Sequence, residues 1–486
     1  MSGIGRLARK ELRALFGAWL IVAASMLVGE LPGLHEFREL AILAYIGGAA
    51  ALGALSIGHE YRYGTLSQLL AQPASRTRVL AVKIAALTVL LAGLAAGALM
   101  FPLAHAPWIG TGRTALVTLP MLYGVSVAPW ITIKTRNVIA GTLFTGSLGG
   151  FLFVGSYYWA FNRSVSPEEI EALRLAFIWT GSALVCAAGA WGVWTAFRGL
   201  EVSDGPRAEL HFFSAPDAGT ARQVSRGVRH PLLHLVAKEL RLQQLTFAAS
   251  LLYVVGCILT SVTDLPHLNR GDVLTAISVI HAIVIAAMAG ALSCAEERAL
   301  GTHEWQLLQP MAARTQFAIK LGVVVALTLA LAFGLPFVLM SVTRGVGTKW
   351  PPDQWVTTVS AILWLAAGSM YISSVAGSGL TALLLCIPAF IAVKTFMAFV
   401  VMPIAGRVFV YMYRLPNGSF VRHISRVPEG VNLLIVFGFI MAALWLAFRN
   451  HRETGRSPRQ AFVQLAALAA VIAAIYTAFG AAGHPL

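Results

Sequence analysis

The chain has 486 residues, of which 57% are hydrophobic and 12% are charged. An ordinary soluble domain carries about 25% charged residues, so this composition excludes a water-soluble protein. The net charge of +15 is compatible with nucleic-acid binding, but the basic residues lie beside apolar runs rather than on one soluble face. Composition and charge therefore favour an integral membrane protein.

Apolar runs recur along the chain, and a transmembrane helix needs about 20 predominantly apolar residues. We predict an all-α polytopic integral membrane protein with two tandem parallel six-helix units and an extra C-terminal transmembrane helix. The thirteen predicted spans are 15–34, 41–57, 79–101, 115–133, 138–158, 173–197, 247–263, 273–293, 317–342, 354–372, 380–402, 431–448 and 461–480.

The first predicted unit, residues 1–198, begins with a short basic segment. Lys10, Glu11 and Arg13 precede the first apolar run. Such a start resembles a signal peptide, but no small-residue cleavage site follows. The pattern therefore predicts an uncleaved first span with its basic segment on the inner side.

The loop between the second and third spans has residues that can start and terminate a short helix. Gly64 can end the second span, and Thr65 can cap a new helix over 66–72. Pro73 cannot easily continue that helix, and Ser75 can cap the third span. The pattern predicts a short helix lying under the membrane, with an ordinary loop carrying interfacial charges as the alternative.

A polar stretch at 199–233, with Gly-Pro and Ala-Pro pairs, is typical of a linker. The second predicted unit, 234–449, starts as the first does, because Lys238, Glu239 and Arg241 match the first basic segment at an offset of 228. The remaining region, 450–486, holds the extra span.

The loop of the first unit recurs in the second at a constant offset of 237. Seven identities share that offset, in loops where composition does not force them, which indicates two copies of one membrane unit. The pairs are Glu60 and Glu297, Gly64 and Gly301, Thr65 and Thr302, Leu70 and Leu307, Gln72 and Gln309, Pro73 and Pro310, and Lys83 and Lys320.

The two loops differ at one predicted cap. Met311-Ala312-Ala313-Arg314 stands where the first copy has Ala74-Ser75-Arg76, so the second copy lacks the serine. We expect the second loop to be the weaker docking element for this reason.

Charge predicts the orientation of the spans. With the N-terminus inside, 24 of the 36 Lys and Arg residues lie on the inner side, as the positive-inside rule requires. Thirteen spans then place Leu486 outside. The stretch 403–430 disagrees, because its four arginines would lie outside; they are Arg407, Arg414, Arg422 and Arg426.

Motifs for chemistry are missing from the sequence. The phosphate-binding pattern G-x-x-x-x-G-K-[ST] does not occur, and each His-Glu pair lacks the second histidine of a zinc-binding HExxH. All 21 acidic residues fall in predicted loops or at span ends, whereas ion-driven carriers generally use an ionisable group inside the membrane. We predict no catalytic and no metal-binding residues.

The repeated loops and basic segments resemble the membrane-spanning permeases of type-two ATP-binding cassette (ABC) exporters. In that family a basic amphipathic elbow helix precedes the first span. An acidic residue followed by Gly-Thr, paired leucines, Pro, Ser-Arg and a downstream Lys lies between the second and third spans. The matching residues are Lys10-Glu11-Leu12-Arg13, then Glu60, Gly64-Thr65, Leu69-Leu70, Pro73, Ser75-Arg76 and Lys83. The resemblance covers essentially the whole chain apart from the linker and the last span.

The resemblance implies a permease subunit that moves an amphipathic, lipid-like or peptide substrate. It implies two cytoplasmic ABC ATPase subunits that bind ATP and Mg, membrane lipids as further partners, no nucleic acid, and a multi-pass position in a bacterial plasma membrane with a cytoplasmic N-terminus. The elbow residues would be Lys10, Glu11, Arg13, Lys238, Glu239 and Arg241. The residues coupling to the ATPase would be Glu60, Gly64, Thr65, Leu70, Pro73, Arg76, Glu297, Gly301, Thr302, Leu307, Pro310 and Arg314.

Two other classes of function remain open at this point. One is a secondary carrier with parallel repeats, and the other is a membrane sensor or assembly factor that does not transport. A copurifying nucleotide-binding protein would separate the exporter from the carrier, and reconstituted substrate movement would separate it from the sensor.

Overall fold

The computed structural model describes residues 3–28, 38–63, 65, 68, 75–103, 112–161, 166–200, 231–262, 270–303, 306, 311–344, 352–396, 410–414, 420–424, 429–452, 463, 464, 467 and 470. Predictions for Gly64, Leu70, Pro73, Leu307 and Pro310 lie outside the described residues. The same holds for residues 201–230 of the linker and for almost all of the predicted span 461–480.

The described chain is built from long helices. In chain order they are α1 Gly3–Val28, α2 Arg38–Tyr63, α3 Arg76–Met100, α4 Arg113–Thr135, α5 Val138–Phe161, α6 Pro167–Arg198, α7 Pro231–Leu242, α8 Gln244–Val262, α9 Arg270–Ala299, α10 Ala313–Leu327, a π-helical segment Thr328–Gly334, α11 Leu335–Arg344, α12 Pro352–Val375, α13 Gly379–Phe396 and α14 Glu429–Arg452.

Nine helices within the described ranges are long and apolar enough to cross a membrane. They correspond to the second through tenth predicted spans, and they confirm an all-α, multi-pass membrane protein. The segments are Leu40–Tyr61, Arg76–Met100, Arg113–Thr135, Val138–Ser156, Glu169–Arg198, Gln244–Val262, Val273–Ala299, Ala313–Thr343 and Trp355–Val375.

The two basic segments begin their spans differently. In the first copy, Lys10 and Glu11 lie in the early turns of α1, a single continuous helix of 26 residues. In the second copy, α7 is a separate helix of 12 residues, and α8 begins after Gln243. A distinct short helix before the span is therefore found in the second copy, whereas in the first the segment and the span are continuous.

A β-hairpin between α13 and α14 is the exception to the helical fold. Strands β1 Val410–Arg414 and β2 Phe420–Ile424 pair antiparallel, with Val410 opposite Ile424. It falls in the stretch 403–430, which also disagreed with the charge pattern. Asn417-Gly418 stands between the strands, and Asn-Gly is a strong sequence signal for a hairpin turn that our helical prediction did not use.

The chain packs as two compact units, of which the first comprises Met1–Ile285 and Leu335–Thr348. In this unit α2 packs against α1, α3, α4 and α5. A buried apolar cluster lies near the C-terminal end of α2, and it contains Ile57, Val79, Leu80, Ile133, Val193 and Phe197. This cluster excludes water beside the last turn of α2.

The second compact unit comprises Ala286–Gly334 and Lys349–Leu486. Its helices α10, α12 and α14 pack on one another around a buried cluster of Phe317, Met370, Tyr371, Phe439, Ala443, Leu446 and Ala447. Alanines at 291, 295, 376 and 382 form a second cluster, where the small side chains let the helices approach closely.

Gly53 in α2 and Gly290 in α9 lie where helices meet most closely. A Cβ atom at Gly53 would overlap the carbonyl oxygen of Gly124 in α4, and one at Gly290 would overlap the Ser369 hydroxyl and the Ala366 carbonyl of α12. Each clash involves backbone, which cannot turn away as a flexible side chain can. Both positions therefore require glycine for packing.

We predict that Gly53→Ala destabilises the protein by about 1–3 kcal/mol, because the added methyl forces α2 away from α4. Gly47→Ala is the matched control, since it lies on the same helix and a Cβ there meets nothing within 4 Å. Thermal unfolding in detergent measures both, and equal midpoints would contradict the predicted close contact.

Candidate functional site

The C-terminal end of α2 brings the first repeated loop back to Glu60. The Thr65 N–H donates to the Glu60 carbonyl oxygen at 3.1 Å, and the Thr65 hydroxyl donates to Glu60 Oε2. Both bonds come from one threonine five residues after the glutamate. They fix where the loop leaves the helix.

Lys83 from α3 contacts that same glutamate inside the protein. Its Nζ lies 3.2 Å from Glu60 Oε1, 2.8 Å from Glu11 Oε2 and 3.2 Å from the Ser56 carbonyl oxygen. Glu11, Glu60 and Lys83 are each at most 1% exposed. An ammonium group has three N–H donors, and the three acceptors satisfy all of them. The charge of Lys83 is thus solvated by α1 and α2 instead of by water.

Two further side chains, Lys10 and His59, border this cluster. Lys10 Nζ lies 3.1 Å from Glu60 Oε1, with its side chain 46% exposed. His59 Nε2 also lies 3.1 Å from Glu60 Oε1, and its Nδ1 is 3.0 Å from the Leu55 carbonyl oxygen. Glu60 is therefore the acceptor at which three helices and the loop meet.

The second copy repeats the central ion pair. Lys320 Nζ from α10 lies 2.6 Å from Glu297 Oε1 and 3.2 Å from the Ser293 carbonyl oxygen. Glu297 and Lys320 are as deeply buried as their counterparts. Glu297, Lys320 and Ser293 each lie 237 residues after the equivalent residue of the first copy. Both copies therefore join the end of one span to the start of the next in the same way.

The end of α9 explains the Glu-x-x-x-Gly-Thr spacing of the repeat. The Thr302 N–H donates to the Glu297 carbonyl at 2.9 Å, and the Gly301 N–H donates to the Arg298 carbonyl at 3.1 Å. This pair of bonds is a Schellman motif, and Gly301 has the left-handed φ of 69° that it requires. Thr65 and Glu60 make the corresponding outer bond in the first copy.

The buried lysines are absent from the predicted coupling residues. Lys83 and Lys320 belong to the repeat, but the sequence does not show that they are buried against the glutamates. A further signal was present, because Gly53-Ala54-Leu55-Ser56 is identical to Gly290-Ala291-Leu292-Ser293 at the same offset. Those serines supply the carbonyl groups that accept from the lysines.

The structure brings some predicted residues together and separates others. Lys10, Glu11, Glu60 and Thr65 form one cluster, and Glu297, Gly301 and Thr302 form the corresponding helix end. Arg76 donates from Nη1 to the Arg198 carbonyl oxygen at 2.5 Å. Glu239 is buried and Lys238 is half-buried, while Arg13, Arg241 and Arg314 are exposed.

The predicted serine cap of the third span is wrong. Ser75 precedes α3 in an extended conformation, but its side chain makes no capping hydrogen bond. Ala312 occupies the same place before α10, also without a side-chain cap. The expected difference between the copies therefore does not come from this serine.

Glu11, His59 and Glu60 have the residue types of a metal site. Their ligand atoms lie within 4.8 Å of one another. The Lys83 ammonium lies between the same two carboxylates, and a metal ion there would be repelled by that charge at short range. The arrangement is an ion-pair network suited to holding helices together.

No family model, no curated protein and no solved structure matches this chain. The duplicated loops and the ion pairs beneath them are the features that bear on its function.

We predict that Lys83→Met destabilises the protein by about 3–5 kcal/mol, because buried Glu11 loses the ammonium that it binds and buried Glu60 keeps only that of the half-exposed Lys10. Lys10→Met is the matched control, since Lys10 contacts the same oxygen of Glu60 but is half exposed, and such pairs contribute about 0–1 kcal/mol. Thermal unfolding in detergent measures both variants.

A triple variant tests whether charge is the cause. Lys83→Met combined with Glu11→Gln and Glu60→Gln removes the unpaired charges, so it should recover most of the lost stability. If the triple variant is as unstable as Lys83→Met alone, packing of the lysine rather than its charge stabilises this site.

Proposed function

We propose that this membrane protein is the permease subunit of a type-two ABC exporter, with two permease units fused in one chain. It moves an amphipathic, lipid-like or peptide substrate. Separate cytoplasmic ATPase subunits, two per chain, bind ATP and Mg and dock on the repeated loops. In this proposal the N-terminus is cytoplasmic and the membrane is a bacterial plasma membrane.

The observation that carries the proposal is the same buried ion pair under both repeated loops. Lys83 with Glu60, and Lys320 with Glu297, join the helix before each loop to the helix after it. A loop that only connects two spans does not need a buried charge pair, which is costly to desolvate. A loop that receives force from a docked subunit does need a rigid connection to its spans.

The two loops differ in what their threonine hydroxyls bind. The first loop reaches α1 through Lys83 and Glu11, and its Thr65 hydroxyl binds the charged side chain of Glu60. In the second loop the Thr302 hydroxyl instead donates to a neutral carbonyl, that of Glu297, at 3.3 Å. Force on the first loop would thus move three helices as one body.

Purification from native membranes tests the exporter proposal directly. The chain alone should hydrolyse no ATP, and a nucleotide-binding subunit should copurify at two copies per chain. Substrate transport by the purified chain alone, without ATP or a partner, would rule out the exporter. A copurifying ATPase without substrate movement in vesicles would favour the sensor or assembly factor.

We predict that Thr65→Val lowers ATP-driven transport several-fold while leaving the amount of protein in the membrane unchanged. Hydrogen bonds to charged groups contribute about 1.5–3 kcal/mol, and Glu60 keeps its contacts with Lys83 and Lys10. Thr302→Val should have a smaller effect, because its hydroxyl binds a neutral oxygen. Thr77→Val is the control in the first turn of α3.

Transport and ATPase activity are measured on the reconstituted complex, normalised to protein in the membrane. Unchanged activity in Thr65→Val would remove the coupling role of this loop. Equal losses in Thr65→Val and Thr302→Val would keep coupling but contradict the inequality between the copies.

One observation favours the secondary carrier as a second candidate. His281 lies within the membrane span Val273–Ala299, buried to 6% exposure. Its ring stacks on that of Tyr253 with centroids 3.9 Å apart, and the Tyr253 hydroxyl lies 2.8 Å from the Ser278 hydroxyl. An ionisable side chain in the membrane is a typical feature of proton-driven transport.

His281→Gln separates the two candidates. A proton-driven carrier should lose transport driven by a pH gradient, because the substitution removes the ionisable group. The exporter should keep ATP-driven transport within about two-fold, a change in barrier below 0.5 kcal/mol. Transport assays in vesicles, with either a pH gradient or ATP and the partner subunits, distinguish these results.

A further inference from the structure

A charged and aromatic patch lies where α3 begins and α6 ends, apart from the ion-pair clusters. Arg198, the last residue of α6, holds its guanidinium carbon 5.7 Å from the ring centroid of Trp194. Arg76, the first residue of α3, donates from Nη1 to the Arg198 carbonyl oxygen at 2.5 Å. Both arginine side chains are exposed. We call these residues, with Trp191 and Leu184, the arginine–tryptophan patch.

The patch continues along one exposed face of α6. Leu184, Trp191 and Trp194 precede Arg198 at helical spacing, so their side chains form one stripe. Their exposures are 73%, 71% and 40%, whereas Val193 and Phe197 on the opposite face are buried at 3% and 1%. In a membrane span, an exposed apolar stripe of this kind faces lipid.

Two positive charges stand at the end of this apolar stripe. Among the described residues, neither Arg76 nor Arg198 pairs with a carboxylate, since one binds a carbonyl and the other a tryptophan ring. Tryptophan is enriched at the level of lipid headgroups, and guanidinium groups bind phosphate oxygens in bidentate fashion. The patch therefore offers a phosphate-binding end and a hydrocarbon-binding side.

We propose that the arginine–tryptophan patch binds an anionic phospholipid. The headgroup phosphate lies between Arg76 and Arg198, and an acyl chain lies along Trp191 and Leu184. A zwitterionic lipid fits less well, because its headgroup cation would lie beside two arginines. A free phosphate ion would use the arginines but not the apolar stripe. The inference does not depend on whether ATP drives the protein.

Native mass spectrometry of the purified full chain, with equal amounts of phosphatidylglycerol and phosphatidylcholine, tests the proposal. Wild-type protein should retain phosphatidylglycerol preferentially. Arg76→Gln and Arg198→Gln should each lower that preference about five-fold, which corresponds to the contribution of one basic residue near an anionic headgroup. These substitutions are on the surface, and an unchanged unfolding temperature verifies the fold.

Arg452→Gln is the matched control, because Arg452 also ends a helix with its guanidinium carbon over an aromatic ring, 5.9 Å from the centroid of Phe448. It should leave the preference unchanged. An equal loss in Arg452→Gln would show a general effect of charge and overturn the site. Unchanged preference in both patch variants would overturn it as well.

Two further arms identify the ligand. Glycerol 3-phosphate should not displace the lipid, and displacement would assign the patch to a soluble phosphate instead. Brominated phosphatidylglycerol should quench tryptophan fluorescence more than brominated phosphatidylcholine, and Trp191→Phe should remove part of that difference. If the variants weaken capture of a copurifying protein while lipid retention stays constant, the patch is a protein interface and the lipid proposal fails.

Discussion

A lysine ammonium buried between helices is the constraint on which the first unit depends. Removing such a charge from water costs several kcal/mol even after relaxation, so its acceptors must be held in place around it. For Lys83 those acceptors come from α1 and α2. The position of the loop follows, because Thr65 folds back on the same glutamate. Helix packing and loop geometry are thus set by one cation.

The second unit keeps the ion pair but surrounds it differently. Lys320 and Glu297 pair as in the first copy, while the rings of His303 and His451 lie 5.2 Å apart in the same unit. Duplication has preserved the part of the site that ends one helix and anchors the next. The acceptor of the loop threonine differs between the copies, because the Thr65 hydroxyl binds the Glu60 carboxylate and the Thr302 hydroxyl binds the Glu297 carbonyl oxygen.

Much of the helical fold was predictable, because hydrophobic length is a local property of the chain. The second through tenth predicted spans agree with helices of the structure. The constant offset of the repeat also identified Glu60 and Glu297 as equivalent residues from the sequence alone. The partners of those glutamates were not predictable in the same way. Lys83 lies 72 residues from Glu11, and no periodicity links the two. Ser75 is a suitable residue type for a helix cap, but residue type alone does not determine which hydrogen bonds a side chain makes. The hairpin formed by 410–414 and 420–424 was missed because the prediction rested on apolar length and did not use the Asn417-Gly418 turn signal between the strands.

The order of residues around Lys83 also bears on how the protein enters the membrane. Glu11 and Glu60 both precede Lys83 in the chain, and Glu297 precedes Lys320. During synthesis, each lysine therefore emerges after its carboxylate partners. The third helix of each copy can therefore meet a carboxylate that is already in the bilayer. The lysine ammonium, which is costly to place in lipid, is then neutralised when its helix inserts.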